Sequence, residues 1–282
     1  MKKPFHPIHQ DGFTLIELLI AASLSVILML IATYGLSVIV QANQKGEAKS
    51  LSRNNLNRAI EFISDEVKTA NSVTSTAPSW SLGWNLGGGL PQPKLYLEIP
   101  LNLESINESN DKIQITNHQF SKKDAVTFTG DAATLAKLSP SLLPNTVYYL
   151  IKNDKDNFQL ATSPANVDSG TQIDLVSDST SQIGINRLVI YYLRDSTGTW
   201  LKKKTINRST GSCVTSSCDV LVDSIATKDK NISTQDGFNV QITSSRQVAI
   251  NITSQLTDDN SPRPDDLEKV SAEVFARPTA AP

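Results

Sequence analysis

Between Phe13 and Gln44 the chain carries one formal charge, Glu17, inside an apolar run that ends near Val40. No proline interrupts the sequence between Pro7 and Pro78, so nothing local stops the run from being helical. The 23 residues from Leu18 to Val40 make about 35 Å of helix, enough to cross a hydrocarbon core of about 30 Å. A helix of this kind fixes the plan of the chain: one end belongs to an apolar environment, and everything downstream hangs from it. Glu17 then needs a reason. A charged side chain within a membrane helix costs roughly 2.5–3.5 kcal/mol on insertion scales, so it is kept for a partner or a function. Lys2 and Lys3 precede the run and set the leader in the cytoplasm and the rest outside. A secretory signal peptide would have a shorter apolar core followed by a small-residue cleavage site, and neither stands at the right place.

Gly12-Phe13-Thr14-Leu15-Ile16-Glu17, with a short basic leader before it and a membrane-length helix after it, resembles the class III signal of type IV pilins and of the pseudopilins of type II secretion. The resemblance implies a leader of residues 1–12, cleavage by a prepilin peptidase between Gly12 and Phe13, and N-methylation of Phe13. It puts the family's assembly glutamate at Glu17 and makes other major and minor pilin subunits the partners. It also implies a single-pass protein of the bacterial inner membrane, with its head on the periplasmic side before it joins a cell-surface pilus. The physical chemistry agrees with this account. Cleavage leaves a cationic amine at membrane depth with Glu17 as the only nearby anion, and either charge is costly unpaired in low dielectric. They can pair within one chain, four residues apart, or between neighbours, where pairing would set axial register. A plain signal anchor leaves Gly12 and Glu17 unexplained.

The helix is expected to continue past the apolar segment of 13–44 as an amphipathic segment over 45–70. Leu56, Ala59, Ile60, Ile63 and Val67 recur at helical spacing, with Arg58, Glu61, Asp65, Glu66 and Lys68 on other faces. Its apolar stripe predicts packing on a globular body, and Arg58 with Glu61 or Asp65 predicts weak surface pairs. The segment from Arg53 to Ala70 is also similar to the helix of the larger minor subunits, the PilW-like minor pilins and the J-type minor pseudopilins.

Ser, Thr, Gly and Pro take over from Asn71, which ends the helix. Residues 71–282 read as a β-rich head, giving an α+β fold with the long helix on an antiparallel sheet. Strands are expected at Lys94–Ile99, Asn186–Arg194, Trp200–Asn207, Val220–Ile225, Phe238–Ile242 and Arg246–Leu256. Between them, residues 112–176 read as short strands at Ala125–Gly130, Thr146–Ile151 and Asn157–Thr162, divided by turns. This block is similar to a small β module of bacterial surface and phage proteins, carried by Tyr148, Tyr149, Phe158, Gln159 and Leu160, and it reads as a β insertion in the head. Beyond Thr257 the composition predicts a solvated turn, and from Arg277 a loose tail.

Chemistry finds little footing. His6 and His9 lie in the leader, which leaves His118 alone in the mature chain, so no multi-histidine metal site and no cofactor site is expected. No Gly-x-Ser-x-Gly elbow accompanies His118, and no phosphate-binding glycine loop occurs, so the chain reads as neither an enzyme nor the assembly ATPase. Asp154, Asp156 and Asn157, and again Asp258, Asp259 and Asn260, read as turns rather than calcium loops. Cys213 and Cys218, with four residues between them, are candidates for a small disulfide loop in an exported protein. Trp80 and Trp84 sit in a glycine-rich loop and are expected to cover core rather than to stack on sugar. A net charge of −2 excludes a strongly basic body, leaving Lys202-Lys203-Lys204 as the one patch where DNA contact is conceivable. These features suggest a minor pilin of a type IV pilus. The alternatives are a J-like minor pseudopilin, or, in another class, an exported sugar-binding protein or enzyme on a pilin-like anchor.

Overall fold

The computed structural model describes residues 14–81, 84, 92–118, 120–152, 154–176, 183–195, 204–211, 219–225, 237–244, 247–256 and 267–276. The chain falls into two compact units, one ending at Ser50 and one beginning at Leu51. A single helix, α1 (Leu15–Thr69), supplies most of the first unit and enters the second. In the first unit its apolar side chains, among them Leu19, Leu28 and Ile31, are exposed along its length. It is long and apolar enough to cross a membrane.

The second unit is α+β. The strands are β1 (Ser72–Thr74), β2 (Gln92–Leu101), β3 (Ser105–Asn107), β4 (Lys112–Gln114), β5 (Ala125–Thr129), β6 (Val147–Lys152) and β7 (Asn157–Ala161). After them come β8 (Gly184–Asp195), β9 (Lys204–Ser209), β10 (Asp219–Ile225), β11 (Phe238–Ser244), β12 (Gln247–Gln255) and β13 (Leu267–Phe275). Two short helices, α2 (Ala132–Leu138) and α3 (Pro164–Ser169), stand among them. All strand pairing among the described residues is antiparallel and joins these strands into one sheet.

β8 is the trunk of that sheet. One edge pairs with β2 from Leu101–Ile185 to Gln92–Leu193. The other edge is shared: β5 takes its first residues, from Gly184 to Arg187, and β9 takes Ile190 to Asp195. The sequence Leu188-Val189-Ile190-Tyr191-Tyr192-Leu193 is apolar without alternation because both faces are covered. Val189, Tyr191 and Leu193 enter the core beneath α1, whereas Leu188, Ile190 and Tyr192 enter a second layer behind the sheet.

The helix face read from the sequence is the buried one: Leu56, Ala59, Ile60, Ile63 and Val67 pack with Leu95, Leu97, Phe238, Val248, Ile250 and Ile252. Fully burying side chains of this size is worth about 1.5–3 kcal/mol each, so the stripe is what anchors the helix to the sheet. A separate core lies under β3–β7 and α2, built on Ile113, Phe120, Val126, Phe128, Leu150, Phe158 and Leu160.

Two expectations are corrected. The region beyond Thr257 is not only turn and tail, because β13 pairs with β12 over nine residues, from Gln247–Phe275 to Gln255–Leu267. The block between β5 and β8 is not only strands and turns, because α2 and α3 are helical. Asp131 caps α2 by accepting from the Thr134 N–H at 2.6 Å. Ser163 caps α3, Pro164 opens it, and Gly170 closes it in the left-handed region.

Candidate functional site

The described chain begins at Thr14, and the first turn of α1 is built around Glu17. The Thr14 backbone N–H and hydroxyl both donate to Glu17 Oε2 at 3.0 Å, and the Glu17 N–H donates to Thr14 Oγ1 at 3.4 Å. This is the reciprocal capping box that a threonine three residues before a glutamate permits, and it satisfies helix N–H groups that would otherwise lack partners. It also fixes where the carboxylate sits: folded back over the helix start, one residue away from position 13. Gly12 and Phe13 themselves, the sequence-predicted processing pair, lie outside the described residues.

The rest of the apolar segment is prepared for a dry environment. Ser23, Ser25, Thr33 and Ser37 each donate their hydroxyl to a carbonyl of their own helix, at 2.7–2.8 Å. A hydroxyl satisfied in this way needs neither water nor a neighbour, so the helix can sit in lipid or against other apolar helices.

A capped helix start ahead of a membrane-length apolar stretch fits a membrane-anchored protein with a class III type of signal. Residues 8–33 match the prokaryotic N-terminal methylation motif. The motif supports a prepilin-like protein, of the type IV pilin or pseudopilin kind, and implies processing by a prepilin peptidase and assembly with other pilins. Comparison with curated proteins and with solved structures gives no match for the chain.

A second carboxylate of α1 matters in the head. Glu66 receives a two-pronged contact from Arg208 of β9, with Nη2 at 2.5 Å from Oε1 and Nε at 3.2 Å from Oε2, and a hydrogen bond from the Tyr191 hydroxyl at 2.6 Å. Both charged side chains are almost enclosed, at 11% and 14% exposure. Burial by itself would lower the Arg208 guanidinium, yet Glu66 holds it above its ordinary value. Burial, and then the negative charge of Glu66, pushes the Tyr191 phenol well up, so it stays a donor. At the other end of the embedded stretch Arg53 reaches Glu268 of β13 at 3.6 Å, and the hydroxyls of Ser52 and Ser254 share a hydrogen bond at 2.5 Å. The helix is thus pinned at both ends with opposite polarity, basic at Arg53 and acidic at Glu66. A slip of one turn would leave charge buried and unpaired. Helix spacing alone could not reveal this, because Arg208 is 142 residues away in sequence. A usable signal was the acidic residue lying next to the apolar stripe.

The other residues singled out fall as follows. His118 is buried, accepts the Phe120 N–H at Nδ1 at 2.9 Å, and stacks on that ring with centroids 4.8 Å apart. Its carbonyl accepts from Arg187, whose guanidinium lies over Phe120. It is a core histidine. The Asp154 carboxylate accepts from the backbone N–H groups of Asp156 and Asn157 at 2.8 and 2.7 Å, which makes this stretch a turn. Trp80 is buried against Tyr96 and donates from Nε1 to Glu98 at 2.7 Å, a covering role rather than an open stacking surface. The helix surface pair is Lys68–Asp65 at 2.9 Å. Cys213 and Cys218, Lys202 and Lys203, and Asp258, Asp259 and Asn260 lie outside the described residues, as does the Lys204 side chain.

Proposed function

We propose that this chain is a minor pilin, a structural subunit of a type IV pilus that is processed between Gly12 and Phe13 and acts at or near the tip. The observation that carries the reading is the N-terminal methylation motif over residues 8–33 together with the capping box that holds Glu17 at the helix start. In the processed chain the amine of Phe13 precedes Thr14, whose own N–H already meets Glu17, so the carboxylate stands where it can neutralise that amine. The same carboxylate can instead meet the amine of a neighbour and set register. Apolar packing of α1 against other helices drives assembly, and the subunit's work is structural rather than catalytic. Its size and the PilW-like helix end favour a minor over a major subunit, with a head that presents surface to other minor subunits or to a substrate.

The test is recovery. Shear surface fibres from cells expressing the tagged full-length chain and probe the fibre fraction against the membrane fraction. Recovery of processed chain with the fibres is the expected result. Processed chain held only in a secretion complex would move the reading to a J-like pseudopilin.

A further inference from the structure

The segment carrying β3–β7, α2 and α3 leaves the trunk and returns to it at adjacent points. Leu101, the last residue of β2, stands opposite Ile185 in the β2–β8 ladder, and the ladder runs on to Gln92–Leu193. Without that segment, β2 and β8 would be the two arms of one hairpin, of the kind two residues can close. The lobe's core takes in Leu101 and Ile185, where the trunk strands meet it, but none of the residues of α1; every buried apolar residue of the helix clusters with β2, β8 and β10–β13 or their neighbours. The elements that hold the helix are therefore complete without the lobe.

The lobe is joined firmly nonetheless. β5 pairs with β8 from Val126–Arg187 to Thr129–Gly184, and Asp124 bridges to Gly211. A Cβ at Gly211 would collide with the Lys123 carbonyl, so that contact needs glycine, whereas one at Gly184 would displace the Thr129 hydroxyl. Behind the trunk, Ala125, Tyr149, Ala161 and Val167 of the lobe cover Tyr96, Leu188, Ile190 and Tyr192. The lobe's surface chemistry differs from that of the apolar helix. All five aromatic rings between residues 102 and 176, Phe120, Phe128, Tyr148, Tyr149 and Phe158, are buried. What is exposed includes Asn107, Glu108, Asn117, Asp154 and Lys155, and acidic residues outnumber lysines over the segment.

We propose that this lobe is a graft on an assembly head: dispensable for processing and incorporation, and standing outside the contacts that build the fibre. The proposal rests on the pilin-like reading above.

The test replaces residues 102–184 of the full-length chain with Asn-Gly and changes the uncovered back layer by Tyr96→Thr, Leu188→Thr, Ile190→Thr and Tyr192→Thr. Expected is a chain that unfolds cooperatively, is processed, and reaches fibres within about twofold of the parent, because Leu101–Ile185 already has two-residue hairpin geometry. A folded, processed variant depleted at least tenfold from fibres would overturn the proposal. A second measurement does not depend on that variant folding. Lys137→Cys, on the exposed side of α2, is treated with a bulky maleimide on intact fibres and on solubilised subunit, against the parent chain as background. Equal labelling is expected, and tenfold protection in fibres would overturn the outward placement. If the parent chain itself is neither processed nor fibre-bound, the pilin reading fails first, and that outcome is distinct from both.

Discussion

Glu17 and Glu66 are carboxylates of the same helix, and their surroundings could hardly differ more. Glu17 lies in a stretch with no buried residues, and its partners are the Thr14 groups three residues back. Glu66 is nearly enclosed and its partners, Arg208 and Tyr191, come from β9 and β8. The first can be satisfied locally and remains available to a new partner. The second is committed, because removing either charged member takes the main counter-charge from an enclosed partner. One helix thus separates a half whose interactions are left for assembly from a half whose interactions are spent on holding a head.

That contrast can be broken by substitution. The largest effect on head stability is expected from Glu66→Ala, which leaves the enclosed Arg208 with only the exposed Asp219 carboxylate, 3.6 Å from Nη1, as a counter-charge, at a cost of about 3–5 kcal/mol. For a head of this size that is a fall of about 6–20 °C in Tm, readable by thermal unfolding of the detergent-solubilised chain. A shift below about 2 °C would show that the ion pair is not structural. Next comes Ile63→Ala, which should cost about 2–5 kcal/mol because the side chain is fully buried. Leu28→Ala in the exposed half serves as its control and should leave the head's Tm unchanged.

A smaller, pH-dependent effect belongs to Asp124. Burial raises its carboxyl above the ordinary aspartate value, against hydrogen bonds from Thr210 and Ser121 and the charges of Arg187 and Arg208. A raised carboxylate pKa means that the folded state binds the proton more readily than the unfolded chain. This site therefore favours folding more as pH falls, within a window above the ordinary carboxylate range of about 4. The difference in Tm between the parent and Asp124→Asn should move in the parent's favour from pH 7 to pH 4. A flat difference would mean that Asp124 is not strained by burial. The smallest effect on the head is expected from Glu17→Ala. It loses the carboxylate half of the capping box, worth about 1 kcal/mol locally, leaves head Tm and membrane insertion intact, and impairs incorporation into fibres. Normal incorporation would remove Glu17 as a register device.

What could be read from sequence followed what is local. The 3.6-residue period named Leu56, Ala59, Ile60, Ile63 and Val67, and β-branched runs placed β8 and β12, because each pattern repeats within a few residues. β13 was missed because its inward positions, Glu268, Val270, Ala272 and Val274, include a charge and a small residue, just after an Asp- and Pro-rich stretch. α2 and α3 were missed although their capping residues, Asp131, Ser163, Pro164 and Gly170, were in plain view; their few apolar positions give no helical period. The Glu66–Arg208 contact and the closeness of Leu101 to Ile185 depend on tertiary register, which no local pattern records. At the helix start the motif was legible, whereas the return of Glu17 to Thr14 emerged only with the geometry.

The account turns on cleavage ahead of that first turn. Edman sequencing and intact mass of the chain purified from membranes test it directly. Chain beginning at N-methylated Phe13 is the predicted result; an intact N-terminus, or a start at any other residue, would contradict it.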